Sequence, residues 1–154
     1  MGLRVEDFEI GKPIVTRGRT IGEGDIHTFA GLVGDFTPLH VDEDFSSRTE
    51  FGGRIAHGPL TMSAAIGLLT QMNLLDDSVL GLLNLNWDFS GPVKIGDTIH
   101  AIVSVIEARR SKRAGAGVAK FQFDVFNQRA ERVQRGTMTV LMKTRDHAEP
   151  AKGS

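Results

Sequence analysis

The sequence has no cysteine among its 154 residues. This absence excludes disulfide bonds, thiolate nucleophiles and cysteine-built zinc sites, and it favours a cytoplasmic location. Lys and Arg total 18 against 19 Asp and Glu, which gives a net charge of −1. With no excess of either sign, no overall field would hold the chain on a nucleic acid or an anionic membrane, so an anionic ligand must be bound by local groups.

Long apolar segments are also missing. No run approaches the roughly 20 consecutive apolar residues that a membrane-spanning helix needs. The first residues, MGLRVEDFEIG, are too polar for a signal peptide and lack the Ser or Thr of a myristoylation signal. The composition, 40% hydrophobic and 24% charged, is typical of a soluble folded protein. We expect a single domain over residues 1–154, with a frayed polar tail from about residue 146.

Two segments have the pattern of helices. Between Gly24 and Val33, apolar side chains recur at spacings of three and four, and Gly34 fits the position just after a helix end. The segment PLTMSAAIGLLTQMN, residues 59–73, begins with a proline suited to a first helical turn and carries no charge. A helix with apolar or small residues on nearly all sides belongs in the core. One short helix is expected between them, within VDEDFSSR, residues 41–48.

The other segments predict β-strands. One is expected near the start, in IVTRGRTI, and four lie in the C-terminal half, at 82–91, 97–110, 118–128 and 132–144. The connections between these four are short and rich in turn residues, as antiparallel neighbours require. Helices followed by antiparallel strands predict an α+β domain whose sheet is covered by the uncharged helix. Such a sheet leaves its edges open, so we expect a dimer.

The heptad GDFTPLH, residues 34–40, interrupts this pattern. Pro38 restricts its own backbone and that of Thr37, so a helix cannot continue from Asp35 to His40. The loop can therefore bring the Asp35 carboxylate and the His40 ring within hydrogen-bond reach, where the carboxylate would hold the tautomer of the ring. Both groups could then bind one water and exchange protons with it. The residues alone also allow a structural role, in which Asp35 caps the next segment and His40 is a buried histidine.

Other catalytic motifs are missing. The sequence has neither the G-x-S-x-G of serine hydrolases nor the H-E-x-x-H of zinc proteases, and its five histidines are scattered. Gly115 and Gly117 lack the strand-to-helix context of a dinucleotide site. We therefore expect no metal and no separate cofactor.

Three stretches of the sequence together resemble a known family. FAGLVGDFTPLHVDEDF, FGGRIAHGPLTMS and FSGPVKIGDTI are similar, in this order, to the signature stretches of the MaoC-like dehydratases, which include the (R)-specific enoyl-CoA hydratases. The resemblance runs from about residue 20 to residue 144. It implies a hot-dog fold, in which a long antiparallel sheet wraps around a central helix, and a homodimer or a dimer of dimers.

The resemblance also implies a catalytic dyad of Asp35 and His40. The two side chains would hold the water that adds to the β-carbon of a trans-2-enoyl-CoA, giving an (R)-3-hydroxyacyl-CoA, and the reverse reaction would be a dehydration. The backbone N–H of Gly58 would donate to the thioester oxygen, where negative charge develops. Pro59 has no N–H, which leaves Gly58 as the backbone donor of this turn. The structural alternative is that Gly58 only permits close packing.

Three further residues are expected near the substrate. Thr37 stands where the family motif usually has Asn. His57 is expected mainly to shape the loop, through a bond to a backbone carbonyl. Ser63 lies one turn before Ile66, the position at which some hydratases carry a serine near the dyad.

The basic turn RRSKR, residues 109–113, and two aromatic residues complete the candidates. Four cations within five residues can form an anion site for the phosphates of coenzyme A, although such a turn is more commonly just solvated. Trp87 and Phe89 lie on a predicted strand and are expected to fill the core or to line the acyl pocket.

Two other functions stay open from the sequence. A hot-dog thioesterase generally uses a carboxylate on the central helix, and residues 59–73 contain none. A non-catalytic acyl-binding subunit arises when the dyad is lost, whereas Asp35 and His40 are both present. Coenzyme A would be part of the substrate, and neither a nucleic acid nor a membrane is an expected partner. These motifs do not specify the acyl chain or the choice between coenzyme A and acyl carrier protein.

Overall fold

The computed structural model describes residues 1–148. A single 3-10 turn (Val5–Asp7) and two short strands, β1 (Pro13–Val15) and β2 (Arg19–Thr20), precede the helices α1 (Glu23–Val33), α2 (Pro38–Val41), α3 (Glu43–Ser47) and α4 (Gly58–Thr70). Four long strands follow: β3 (Val79–Phe89), β4 (Thr98–Arg110), β5 (Ala116–Phe126) and β6 (Arg132–Lys143). The predicted α+β class, with helices before a run of strands, is confirmed.

The six strands of residues 1–148 form one antiparallel sheet. Its order is β1-β4-β5-β6-β3, and β2 pairs with the start of β4. Along β5, Phe121 and Phe123 are buried, whereas Lys120 and Gln122 are only half-buried. The alternation that is visible in the sequence therefore sets which face of the sheet meets the core.

Helix α4 packs against this sheet. Its buried side chains include Leu60, Ala64, Ala65, Leu68 and Leu69, and these belong to the same core as the inward residues of β4, β5 and β6. The uncharged helix is thus buried in the core, as predicted, and burial contributes ~1.5–3 kcal/mol for each of its large aliphatic side chains. It ends at Thr70, three residues earlier than expected. Neither α4 nor any other described helix is long and apolar enough to cross a membrane.

Two local predictions are wrong in detail. The expected first strand is two short strands, β1 and β2, and both pair with β4. The expected helix within residues 41–48 is α3, but the heptad expected to be a loop also contains the start of a helix, α2; Asp42 ends α2 and begins α3. The Asp42 carboxylate caps α3 by accepting a hydrogen bond from the N–H of Phe45 (2.9 Å).

The beginning of the C-terminal tail is attached to the rest of the domain. Asp146 accepts a hydrogen bond from the Arg110 guanidinium (2.9 Å), and the His147 ring bonds the carbonyl oxygen of Gly115 (2.8 Å). The prediction of fraying from residue 146 is therefore wrong for these two residues. The last part of the predicted tail, residues 149–154, lies outside the described residues.

Strand β3 forms an edge of the sheet. Within the described chain it pairs only with β6. Leu82 and Leu83 on this strand are 58% and 55% exposed. An edge strand this long, with apolar side chains, is the kind of surface that proteins usually cover.

Candidate active site

The heptad 34–40 links α1 to α2. Gly34 adopts a left-handed conformation (φ 78°), and its N–H closes α1 on the carbonyl of Ala30 (2.8 Å). The helix then breaks, and Pro38 opens α2. This reversal brings side-chain donor atoms of Asp35, His40 and His57 within 4.8 Å of one another.

Thr37 orients the Asp35 carboxylate. The Oδ1 atom of Asp35 accepts hydrogen bonds from the Thr37 hydroxyl (2.6 Å) and from the Thr37 backbone N–H (3.1 Å). These two donors, the hydroxyl first, lower the pKa of Asp35 below its usual value. Oδ2 has no hydrogen-bond donor in the part of the chain that the structure describes, so it is available to a water or a substrate.

A backbone carbonyl holds His40. Its Nδ1 lies 2.7 Å from the carbonyl oxygen of Ile55. Because that oxygen can only accept, Nδ1 carries the proton and Nε2 has a free lone pair. The expectation that Asp35 holds the tautomer of the ring is therefore wrong, since Ile55 does so. A water bonded to both side chains at about 2.8 Å spans separations up to about 5.6 Å, so the observed spacing suits a shared water.

His57 packs behind the dyad and is 1% exposed. Its Nε2–H donates to the backbone carbonyl of Asp35 (3.0 Å), which confirms the predicted bond to a backbone carbonyl. The ring also stacks on that of His40, with centroids 3.8 Å apart, and contacts the Phe29 ring at 5.0 Å. His57 thus restrains the backbone of Asp35 and the side chain of His40.

The same cluster has the donor types that bind transition metals. Backbone carbonyls already occupy one nitrogen of His40 and one of His57. The two rings are stacked with their planes 25° apart, and each keeps one ring nitrogen that no backbone carbonyl contacts. Hydrogen bonds to the backbone therefore orient both rings.

Gly58 begins α4 beside this cluster. Its backbone N–H has no hydrogen-bond acceptor within residues 1–148, as the predicted oxyanion donor would require. A Cβ at this position would lie 2.7 Å from the Phe89 ring, so close packing also demands glycine here. Gly58 and Phe89 line a cavity of about 340 Å³ together with Phe51, Ile55 and Thr61, a volume typical of small-molecule sites.

Other predicted positions lie farther from the dyad. Ser63 is exposed and lines a separate groove of about 560 Å³ with Phe29 and Leu32, and it makes no hydrogen bond to the dyad in the described structure. Ile66 packs against the core. Trp87 does so too, with its ring 5.2 Å from that of Phe123, as predicted.

The basic turn 109–113 is partly neutralised. Arg109 pairs with Glu107 (2.6 Å), and Arg110 pairs with Asp146 (2.9 Å). A second basic surface was missed from the sequence: a groove of about 490 Å³ is lined by Lys94, Arg129 and Arg132. This groove shares residues 90–92 with the cavity at Gly58. Lys94 belongs to FSGPVKIGDTI, but its position beside the cavity depends on the fold.

The sequence also failed to indicate Gln134 and Arg54. Gln134 donates a hydrogen bond from Nε2 to the carbonyl oxygen of Gly58 (3.1 Å). A signal for it exists, because Gln134 is a polar residue on the inward-facing side of β6. Arg54 pairs with Glu23 of α1 (2.7 Å) and with Glu43 of α3, bracing the segment that carries Ile55. No pattern in the sequence predicts those ion pairs.

Comparison with known proteins identifies the family. Residues 7–125 match the MaoC like domain family. An (R)-specific enoyl-CoA hydratase of Rhodospirillum rubrum is 40% identical over 103 residues, which are 65% of this chain and 67% of that protein. A 3-hydroxybutyryl-CoA dehydratase of Methylorubrum extorquens is 35% identical over 111 residues, 72% of this chain and 69% of that protein.

Solved structures extend the similarity to the whole fold. The monoamine oxidase regulatory protein of Archaeoglobus fulgius has a TM-score of 0.85 at 36% identity, covering 93% of this chain and 95% of that one. The (R)-hydratase of A. caviae has a TM-score of 0.74 at 30% identity, covering 88% and 97%. A Mycobacterium tuberculosis protein with a double hot-dog fold has a TM-score of 0.80 at 22% identity, covering 97% and 47%. The hot-dog fold is therefore confirmed.

Proposed function

Since the chain belongs to the MaoC-like domain family, we propose that it is a hydro-lyase that interconverts trans-2-enoyl-CoA and (R)-3-hydroxyacyl-CoA. One observation carries the proposal. The side chains of Asp35 and His40 lie within 4.8 Å of each other, and each is held in one orientation by a neighbouring group, the Thr37 hydroxyl and the Ile55 carbonyl. This is the arrangement that a single shared water needs.

The hydration divides between the two side chains according to the atoms that each leaves free. Asp35, whose pKa is lowered by Thr37, accepts a hydrogen bond from the water and orients it. Nε2 of His40 has the free lone pair, so it takes the proton of the water as the oxygen bonds to the β-carbon. The imidazolium then returns one proton to the α-carbon, and the net change is addition of one water across the double bond.

Negative charge reaches the thioester oxygen during this step. The free N–H of Gly58 at the start of α4 donates to that oxygen, where the helix dipole adds to the stabilisation. We propose no cofactor beyond the coenzyme A of the substrate, because an enolate held by a backbone donor needs none.

The groove beside the cavity is suited to the carrier of the acyl group. We place the thioester in the cavity at Gly58 and the phosphates of coenzyme A in the adjoining groove, near Lys94, Arg129 and Arg132. Arg129 and Arg132 are paired with Asp97 (3.1 Å) and Asp124 (3.2 Å). Lys94 has no side-chain partner in the described residues, so among these three groove cations it is the one most available to bind a phosphate.

The open edge of the sheet supports the proposed homodimer. A second copy pairing along β3 would cover the exposed side chains of Leu82 and Leu83 and extend both sheets.

A thioesterase activity is the second candidate. Helix α4 carries no carboxylate to act as its base or nucleophile, so the structure favours it less. A non-catalytic acyl-binding subunit is the third candidate. It is favoured less, because binding alone does not require Asp35 and His40 to be held in these orientations.

Purified protein with crotonyl-CoA tests the proposal through loss of the enoyl thioester absorbance. We expect hydration by the wild type and a fall of about 100-fold or more for Asp35→Asn and for His40→Gln. Asp44→Asn and His27→Gln are matched controls at exposed positions and should keep the wild-type rate. Thiol release that survives both dyad changes would identify a thioesterase, and hydration unaffected by either change would refute the dyad.

A further inference from the structure

The backbone of Gly58 is held by side chains of the sheet. Its carbonyl oxygen accepts a hydrogen bond from Nε2 of Gln134 (3.1 Å), and Oε1 of Gln134 accepts one from Nε1–H of Trp87 (2.9 Å). Gln134 is 2% exposed. Hydrogen bonds shielded from water are costly to leave unmade, so this chain of bonds restrains all three residues.

The register of the sheet creates the chain of bonds. Gln134 lies opposite Phe89 across β6 and β3, and Gly136 lies opposite Trp87. Trp87 and Gln134 are therefore diagonal neighbours on the same face of the sheet. A Cβ at Gly136 would overlap the indole ring of Trp87, so this glycine provides the space in which Trp87 crosses β6.

The chemistry of the two ends fixes the orientation of the amide. The indole N–H of Trp87 can only donate, and the carbonyl of Gly58 can only accept. Gln134 must therefore present its oxygen to Trp87 and its NH₂ group to Gly58. The opposite orientation would leave both ends without a partner.

The first residue of α4 has no side-chain cap. His57, at the N-cap position, makes no side-chain cap to the helix, and Pro59 contributes no N–H. Phe89 packs against Gly58 on one side, and Gln134 holds its carbonyl. Gly58, Phe89 and Gln134 all line the same cavity, so these contacts lie at its wall.

We propose that Gln134 and Trp87 are positioning residues that fix the start of α4, so that the N–H of Gly58 is aimed at the substrate carbonyl before charge develops. The inference rests on the proposed function for the identity of that carbonyl. An oxyanion donor stabilises the transition state only if its geometry is set in advance to within a fraction of an ångström. Remote restraint of a helix terminus supplies that geometry.

Gln134→Met tests the inference by removing both hydrogen bonds while keeping the length of the side chain. We expect kcat for crotonyl-CoA to fall roughly tenfold, less than the ~100-fold cost of losing an oxyanion donor itself. KM should change by less than about twofold, because the bond to Gly58 acts on the transition state. Gln122→Met on β5 is the matched control, since Gln122 lies opposite Ser104 and Thr137, and it should keep the wild-type kcat.

Trp87→Phe keeps a ring in place and removes only the indole N–H. Its kcat should fall in the same direction by a smaller factor, and the double variant should be no slower than Gln134→Met, because both residues act through one chain of bonds. If Gln134→Met does not fold, the kcat of Trp87→Phe alone tests the inference. A wild-type kcat in the folded variants overturns the inference.

The backbone amide resonance of Gly58 separates this inference from the proposed function. We expect it to shift in the NMR spectra of Gln134→Met and Trp87→Phe and to stay unchanged in Gln122→Met. If the wild type hydrates no enoyl-CoA, the proposed function fails, and a shifted Gly58 resonance still supports the positioning. An unmoved resonance overturns the positioning whatever the activity.

Discussion

The proposed dyad and the proposed oxyanion donor are held in place in different ways. Asp35 is bonded to Thr37, two residues away, and His40 to Ile55, 15 residues away. Gly58 depends instead on Gln134, which is 76 residues away in the sequence, on strand β6. The dyad is thus built mainly from one continuous segment, whereas the donor is placed only once β3 and β6 pair in register. Changes in the heptad loop should alter proton transfer by Asp35 and His40, whereas changes in the sheet should alter the position of the Gly58 N–H.

The largest effect outside the dyad is expected for Gly58→Ala. The added Cβ would lie 2.7 Å from the Phe89 ring, so the start of α4 or the ring must move. The N–H of residue 58 would then no longer point at the substrate carbonyl. We expect kcat to fall by about 100-fold. Gly31→Ala in α1, where a Cβ meets nothing within 4 Å, should leave kcat unchanged and add ~0.5–1 kcal/mol to the free energy of unfolding. An equal kcat in both variants would show that Gly58 has only a packing role.

The pH profile of Thr37→Val tests the loop. The Thr37 hydroxyl is the first cause of the low pKa of Asp35, and a low pKa keeps the carboxylate ionised as the pH falls. Loss of the hydroxyl raises that pKa, so the NMR titration of the Asp35 side-chain carboxyl should move to higher pH. Thr37→Ser retains the donor and should keep the wild-type titration. A titration that does not move in Thr37→Val would show that the hydroxyl does not stabilise the carboxylate.

The smallest effect is expected at the carrier groove. Lys94→Ala should raise KM for crotonyl-CoA by about threefold with little change in kcat, because an exposed charge contributes ~1 kcal/mol or less. Lys112→Ala, in the basic turn 109–113, should leave KM unchanged. Crotonyl-pantetheine, which lacks the phosphates, should show no difference between the variants. The opposite ranking of the two lysines would move the phosphates to the basic turn.

Sequence patterns predicted what depends on neighbouring residues. As expected, Gly34 ends α1 and the helix does not continue through Pro38, and the charge-free segment forms the central helix. The partners of His40 and Gly58 were not predictable in the same way, because the Ile55 carbonyl and the Gln134 amide are brought in by distant pairings. Ile55 is fixed by a bridge to Lys94, and Gln134 by the register of β6 with β3. A one-residue shift in that register would turn Gln134 to the other face.

Product analysis tests the central claim most directly. Crotonyl-CoA is incubated with the wild type in water labelled with heavy oxygen, and the 3-hydroxybutyryl-CoA is examined for its configuration and label. The account predicts the (R) product with solvent oxygen on the β-carbon, and an initial rate of its formation at least about 100-fold lower for Asp35→Asn. An (S) product, or free coenzyme A without any hydroxyacyl thioester, would contradict it.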